Sequence, residues 1–268
     1  MAAPYAGFRW EVADGVGTVT LDRPEKLNAL TFGIYDELVR LFAEVGAEDA
    51  VRAVVIRGAG RAFCSGGDVN EIIGRLLDRP LAERLAFTRT TCALVRNIRR
   101  CPQPVIASLH GAVAGAGAVI ALACDLRVAA ASTRISFLFT KVGLTGADMG
   151  AAWLLPRVVG GGRAGEILLL GEPVPAEEAA RIGLVNRVVP EERLAEETAA
   201  WARRLADGAA AGIRETKRLL REEQEMAFDE GLEAEAQGQA TLLGAGDHAE
   251  YHRAFNEKRK PDFRRKKA

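Results

Sequence analysis

Two short glycine-bearing segments carry residue types that could stabilise a developing negative charge. Residues 64–68 read CSGGD, and residues 114–125 read AGAGAVIALACD. Each follows a strand-like run and leads toward a helical one, which places Gly67 and Ala116 close to helix starts. N–H groups there lack intrahelical partners and sit at the positive end of the helix dipole. Small residues let a ligand oxygen approach the main chain closely. Two such starts aimed at one point would make an oxyanion hole, in which each donor is worth about 3 kcal/mol in a measured case. A nucleotide phosphate fits less well: Ile120 stands where GxGxxG needs its third glycine, and there is no GxxxxGK[ST]. Close helix packing without a ligand explains the same small residues.

Other chemistry is weaker. His248 and His252 lie four apart on a helical stretch, but no third ligand or HExxH glutamate accompanies them, so no metal is expected. No GxSxG elbow is present, and His110 has no evident serine partner. Cys64, Cys92, Cys101 and Cys124 lack CxxC spacing and read as reduced, buried small residues. Asp68 and Glu71 follow the first glycine pair, where carboxylates fix loops and cap helices more readily than they do chemistry.

These segments need a scaffold. VGTVTL (16–21) and AVVI (53–56) read as strands around an apolar helix over 31–45 with Thr31 as its N-cap. A helix over 81–100 ends at CPQP, followed by a strand at 105–109, a helical run to Cys124 and a strand at 126–128. Such alternation predicts an α/β fold with a parallel sheet covered by helices. Beyond residue 190 only helical segments are expected, and RKPDFRRKKA (259–268) reads as a basic tail. The 268 residues suffice for a sizeable core. Lys plus Arg and Asp plus Glu number 36 each, so no overall field draws the chain to nucleic acid or an anionic membrane. The start has no apolar leader, and the longest apolar stretch is too short to span a bilayer, so a cytoplasmic location is expected.

Several motifs, taken in order, resemble the crotonase (enoyl-CoA hydratase/isomerase) family: LDRPEKLNAL (21–30), RAFCSGGDVNE (61–71), CPQPVIASLHGAVAGAGAVIALACDLRVA (101–129), AARIGLVNRVVP (179–190) and AFNEKRKPDF (254–263). The resemblance implies the ClpP/crotonase-like fold, with repeated ββα units around two nearly perpendicular sheets. It implies a core with the acyl-CoA site over 1–190 and a C-terminal helical trimerisation region over 191–268. It also implies a homotrimer or hexamer, and a coenzyme A thioester as substrate with no separate cofactor. The oxyanion-hole amides fall on Gly67 and Ala116, and Lys26 and Lys258 match positions that contact coenzyme A phosphates.

The two glutamates of the family's hydratases fall on Val119 and Phe139, neither of which can move a proton. Asp148, in GLTGADMGAAWLLPRVVG (143–160), matches the aspartate that transfers a proton in dienoyl-CoA isomerases. It equally precedes a helical run, where it would serve as an N-cap. Phe137, Phe139, Trp153 and Val119 are candidates for the acyl pocket. The expectation is therefore isomerisation or hydration of an enoyl-CoA with Asp148 as proton shuttle. The alternatives are a hydratase-lyase acting on an aromatic acyl-CoA, or a non-catalytic, RNA-binding homologue using the arginines of 81–100.

Overall fold

The computed structural model describes residues 5–264. The chain opens with a hairpin of β1 (Phe8–Ala13) and β2 (Val16–Leu21), closed by Asp14 and Gly15 with φ of 51° and 81°. Two positive φ values make the tight turn whose twist suits antiparallel strands, and Asp-Gly is a pair that tolerates them. Helix α1 (Phe32–Glu44) follows, with Thr31 Oγ1 accepting from the Ile34 amide, and then β3 (Ala53–Gly58). A wide π-type turn (Val69–Gly74) runs into the short α2 (Arg75–Leu77) and the long α3 (Leu81–Arg100). Next come β4 (Val105–Leu109), β5 (Ala112–Ala114), α4 (Ala116–Ala123), β6 (Leu126–Ala130) and β7 (Arg134–Ser136). Helices α5 (Ala151–Val159) and α6 (Gly161–Leu170), β8 (Val174–Pro175), α7 (Ala176–Arg181) and β9 (Arg187–Val189) complete this part. Helices α8 (Leu194–Asp207), α9 (Ala210–Glu222), α10 (Phe228–Leu243) and α11 (Gly246–Asn256) end the chain.

Six strands form a large sheet in the order β1-β2-β3-β4-β6-β9, parallel except for the β1/β2 hairpin. A second sheet, β5-β7-β8, lies beside it. Strands β4 and β6 each pass from the large sheet into the small one within a few residues, and each is followed by helical chain. The segment after β3 does the same, because Cys64 pairs with Val113 of β5. The result is three stacked strand–strand–helix turns. Gly111 makes one of these corners possible: its φ is 53°, and a Cβ there would lie 2.1 Å from the Arg61 carbonyl.

The central strands are covered on both faces, which is why they read as unbroken apolar runs. Val54, Ile56, Val105, Ala107, Leu109 and Ala129 face the main core with α1, α3 and α4. Their alternates Val55, Ile106, Val128 and Ala130 pack with Leu194 and Ala202 of α8. Ser108 joins that second face through its hydroxyl, 3.0 Å from Thr198 Oγ1. The C-terminal helices are thus built onto the sheet from α8 onward.

Helix α9 is pinned from below. Lys217 Nζ lies 2.7 Å from Asp125 Oδ2 and 2.9 Å from the Gln103 carbonyl, and Asp125 also accepts from the Val105 amide. All four cysteines are expected to be buried; Cys64, Cys101 and Cys124 are, but Cys92 is exposed on α3 because its position falls off the apolar stripe. Among the described residues no helix is long and apolar enough to cross a membrane. Residues 265–268 of the basic tail lie outside the described residues.

Lys217→Met should leave the part-buried Asp125 carboxylate without its ammonium partner and cost about 2 kcal/mol in urea unfolding. Adding Asp125→Asn should recover part of that loss in a double-mutant cycle.

Candidate active site

The site begins with an exchange of backbone bonds between two loops. Leu30 donates to the Gly66 carbonyl and accepts from Asp68, both at 2.8 Å, while Ser65 donates to the Leu27 carbonyl. In such a parallel pairing the intervening residue turns its own amide to the opposite edge. Gly67 is that residue, and its N–H has no partner among the described residues. The motif over 21–30 holds this loop in place. Buried Asn28 donates to the Ala59 and Ala62 carbonyls, and Arg23 reaches the Ala29 carbonyl and Asp68 Oδ2. Asp68 accepts from the Asn70 and Glu71 amides at 3.1 Å each. Those amides and Arg23 hold its carboxyl below the usual range, which fits a loop anchor.

The second loop meets the first without side chains between them. A Cβ on Gly66, whose φ is 105°, would sit 3.2 Å from the Ala114 carbonyl and 3.6 Å from the Ala116 nitrogen. A Cβ on Gly117 would fall 2.6 Å from the Cys64 carbonyl and 2.7 Å from Cys64 Cβ. Gly115 takes φ 52°, ψ −123°, and Ala116 then begins α4 without needing a positive φ, so alanine serves there as well as glycine. At the far end of α4, buried Arg127 donates to the Cys124 carbonyl at 2.7 Å and also to Ala121 and Leu122. A cation covers the negative end of the helix, and the positive end is left for a ligand.

Gly67, Ala116 and Asp148 line one cleft of about 510 Å³, with Tyr35, Phe87, Leu138 and Phe139 among its walls. Its rim carries the exposed apolar side chains Val69, Leu77, Val142 and Leu144. Asp148 is the one carboxyl group among the described residues that line it. The N-cap of α5 is Gly150, so Asp148 does not cap that helix through its side chain. Instead its Oδ1 accepts from the next amide, Met149 N, at 2.8 Å. Met149 has φ 52°, a costly conformation for a large side chain and one that recurs at functional sites. Burial pushes the Asp148 carboxyl up, and the single Met149 bond only partly opposes it.

The other expected residues divide. Phe139 lines the cleft, its Cε1 4.0 Å from where a Cβ on Gly115 would stand. Phe137 and Val119 are fully buried in the core and line no part of the cleft, a correction explained by the inward faces of the 136–138 segment and of α4. Trp153 faces a separate groove of about 630 Å³, stacked under the Arg157 guanidinium at 3.7 Å with Arg99 at 5.8 Å. Lys26 is exposed beside the cleft mouth, where Ser65 Oγ donates to its carbonyl. Lys258 is exposed beyond α11 and is not among the residues that line the cleft.

Tyr35 is the wall residue that pattern reading missed, because it sits in the apolar stripe of α1. Its ring packs edge-on to Phe87 at 5.6 Å and is 2% exposed. The only available signal was a phenol at a core position, where a hydroxyl needs a partner.

A family model for enoyl-CoA hydratase/isomerase matches residues 11–266. A probable enoyl-CoA hydratase of Rhodobacter capsulatus is 38% identical over 259 residues, 97% of this chain and 98% of that one. The 1,2-epoxyphenylacetyl-CoA isomerase of Escherichia coli is 36% identical over 94% of this chain and 96% of its own. A crystal structure of a candidate enoyl-CoA hydratase from Streptomyces coelicolor A3(2) superposes with a TM-score of 0.95 at 54% identity, covering 98% and 97% of the two chains. With the ββα turns, the paired glycine loops and a family match over nearly its whole length, the chain belongs to the enoyl-CoA hydratase/isomerase (crotonase) family.

Proposed function

We propose that the protein moves a proton on an enolisable acyl-CoA, with Asp148 as the shuttle and the Gly67 and Ala116 amides holding the thioester oxygen. The observation that supports this best is that, among the described residues, one carboxyl group lines an apolar cleft together with two amides that have no hydrogen-bond partner. When the thioester oxygen takes both N–H bonds, charge can build on it as a C–H bond at the α- or γ-carbon breaks. The proton passes to the Asp148 carboxylate, and the electron pair enters the enolate. Return of that proton to another carbon shifts the double bond and leaves the composition of the substrate unchanged, so one acid suffices. Hydration in the two-glutamate manner needs a second group to hold water, and Val119 and Phe139 cannot supply it.

Burial suits Asp148 to this role. A carboxyl raised toward neutrality is a stronger base when ionised and a usable acid when protonated. The apolar walls and rim accommodate a bulky or aromatic acyl group, so a hydratase-lyase reaction on such a thioester is the second reading, and it would release an aldehyde. Exposed Phe228, Leu243 and Phe255 on the C-terminal helices offer apolar surface for the expected homotrimer, in which Lys258 would serve a neighbouring site.

Wild-type protein in D₂O should exchange α- or γ-hydrogens of a suitable acyl-CoA, read by mass spectrometry. Asp148→Asn should lose this by a factor of about 10² or more while still binding coenzyme A. Undiminished exchange by Asp148→Asn would remove the proposed role. Gly117→Ala should lower kcat by about 10²-fold with a smaller effect on KM, since the methyl must push α4 off Cys64 and misplace the Ala116 amide. The rate should rise with pH through an inflection above the ordinary carboxyl value of 3.8. Because folding raises this pKa, the cost to folding sets in as pH rises above 3.8 and is complete once pH exceeds the raised value. Asp148→Asn should therefore melt at a higher temperature than wild type at neutral pH, with the difference vanishing below pH 3.8.

A further inference from the structure

The Tyr35 hydroxyl is an unmet polar group inside an apolar cleft. Among the described residues it has no hydrogen-bond partner, although its ring is 2% exposed and fixed against Phe87. Among the described residues the buried side-chain atoms that lack both partner and solvent are Thr140 Oγ1, Arg214 Nε and Glu223 Oε1, and the Tyr35 oxygen is not one of them. An oxygen that is neither bonded to protein nor sealed from solvent, on a ring lining the cleft, borders the cleft interior.

Position and protonation state define what this hydroxyl can do. Its ring lines the same cleft as Asp148 and as Gly67 and Ala116. Burial, reinforced by Cys64 and Asp148, pushes its pKa well above 10, which keeps it a donor at neutral pH. An alkyl chain placed over it would strip the hydroxyl of solvent and offer nothing in return, a penalty that a phenylalanine would avoid. A site containing a buried donor discriminates against ligands that lack the matching acceptor.

We propose that Tyr35 donates a hydrogen bond to an oxygen carried by the acyl group, so that the preferred substrates are oxygen-bearing acyl-CoAs, with a hydroxyl, carbonyl, epoxide or ring oxygen beyond the thioester. The assignment rests on the cleft being the acyl-CoA site. It makes Tyr35 a specificity-determining residue that touches substrate, alongside the amides and the acid.

The test is calorimetric binding of matched pairs. Phenylacetyl-CoA is compared with its 2-, 3- and 4-hydroxyphenyl counterparts, and hexanoyl-CoA with its 3-, 4- and 5-hydroxy counterparts. Wild type and Tyr35→Phe are measured side by side, the variant keeping the ring and hence its packing on Phe87. At least one oxygenated member should bind wild type about tenfold more tightly than its deoxy partner. That advantage should disappear in Tyr35→Phe, with the deoxy partner bound no more weakly than by wild type. Normal binding of the deoxy compounds with no oxygenated member preferred would overturn the inference and leave the acyl-CoA site intact. So would a preference that survives in Tyr35→Phe. Failure of every acyl-CoA to bind either protein would refute the acyl-CoA reading and this inference together.

Discussion

The molecule is organised around one backbone-to-backbone contact, between residues 64–66 and the first turn of α4. No side chain fits there: a methyl on Gly117 would overlap Cys64, and one on Gly66 would crowd the Ala114 carbonyl. Only this approach brings the Gly67 and Ala116 amides to one cleft. Both loops are therefore fastened from outside. Asn28 and Arg23 grip the first, and the pairing of Cys64 with Val113 in the small sheet ties it to the strand that leads into the second. The stacked strand–strand–helix turns exist, in physical terms, to stack these two loops.

Electrostatics follows the same geometry. Helix α4 is apolar on every side and wholly buried, so the polar features it can present to the cleft are its dipole and its first N–H groups. Arg127 covers its carboxyl end, and the Asp125–Lys217 pair anchors the residues just beyond. Across the cleft, Met149 in a left-handed conformation presents Asp148 to an apolar wall rather than to the helix that follows. That placement opposes folding whenever the carboxylate is ionised, a local cost that the surrounding core offsets.

Much of this was legible in the sequence, and the reasons are local. Apolar runs such as AVVI and VIASL announce strands covered on both faces, Thr31 announces the start of α1, and the glycines at 66, 67, 115 and 117 announce close approach. The hairpin was not read, because Arg9 and Glu11 dilute the pattern of β1 and leave the Asp14-Gly15 turn without a recognisable strand before it. The three-residue strands of the small sheet could not be read, because their stability comes from pairing partners far along the chain rather than from their own residues.

Residue types and order alone determined the family, the α/β class, the two loops and the leading candidate acid, because each depends on chemistry or backbone freedom carried by a few neighbouring positions. Only the tertiary structure decided which side chains face the cleft. It buried Val119 and Phe137, turned Trp153 into another groove, released Asp148 from capping and put the Tyr35 hydroxyl into the wall. Orientation of this kind is set by how distant strands and helices pack against one another, and no local pattern records it.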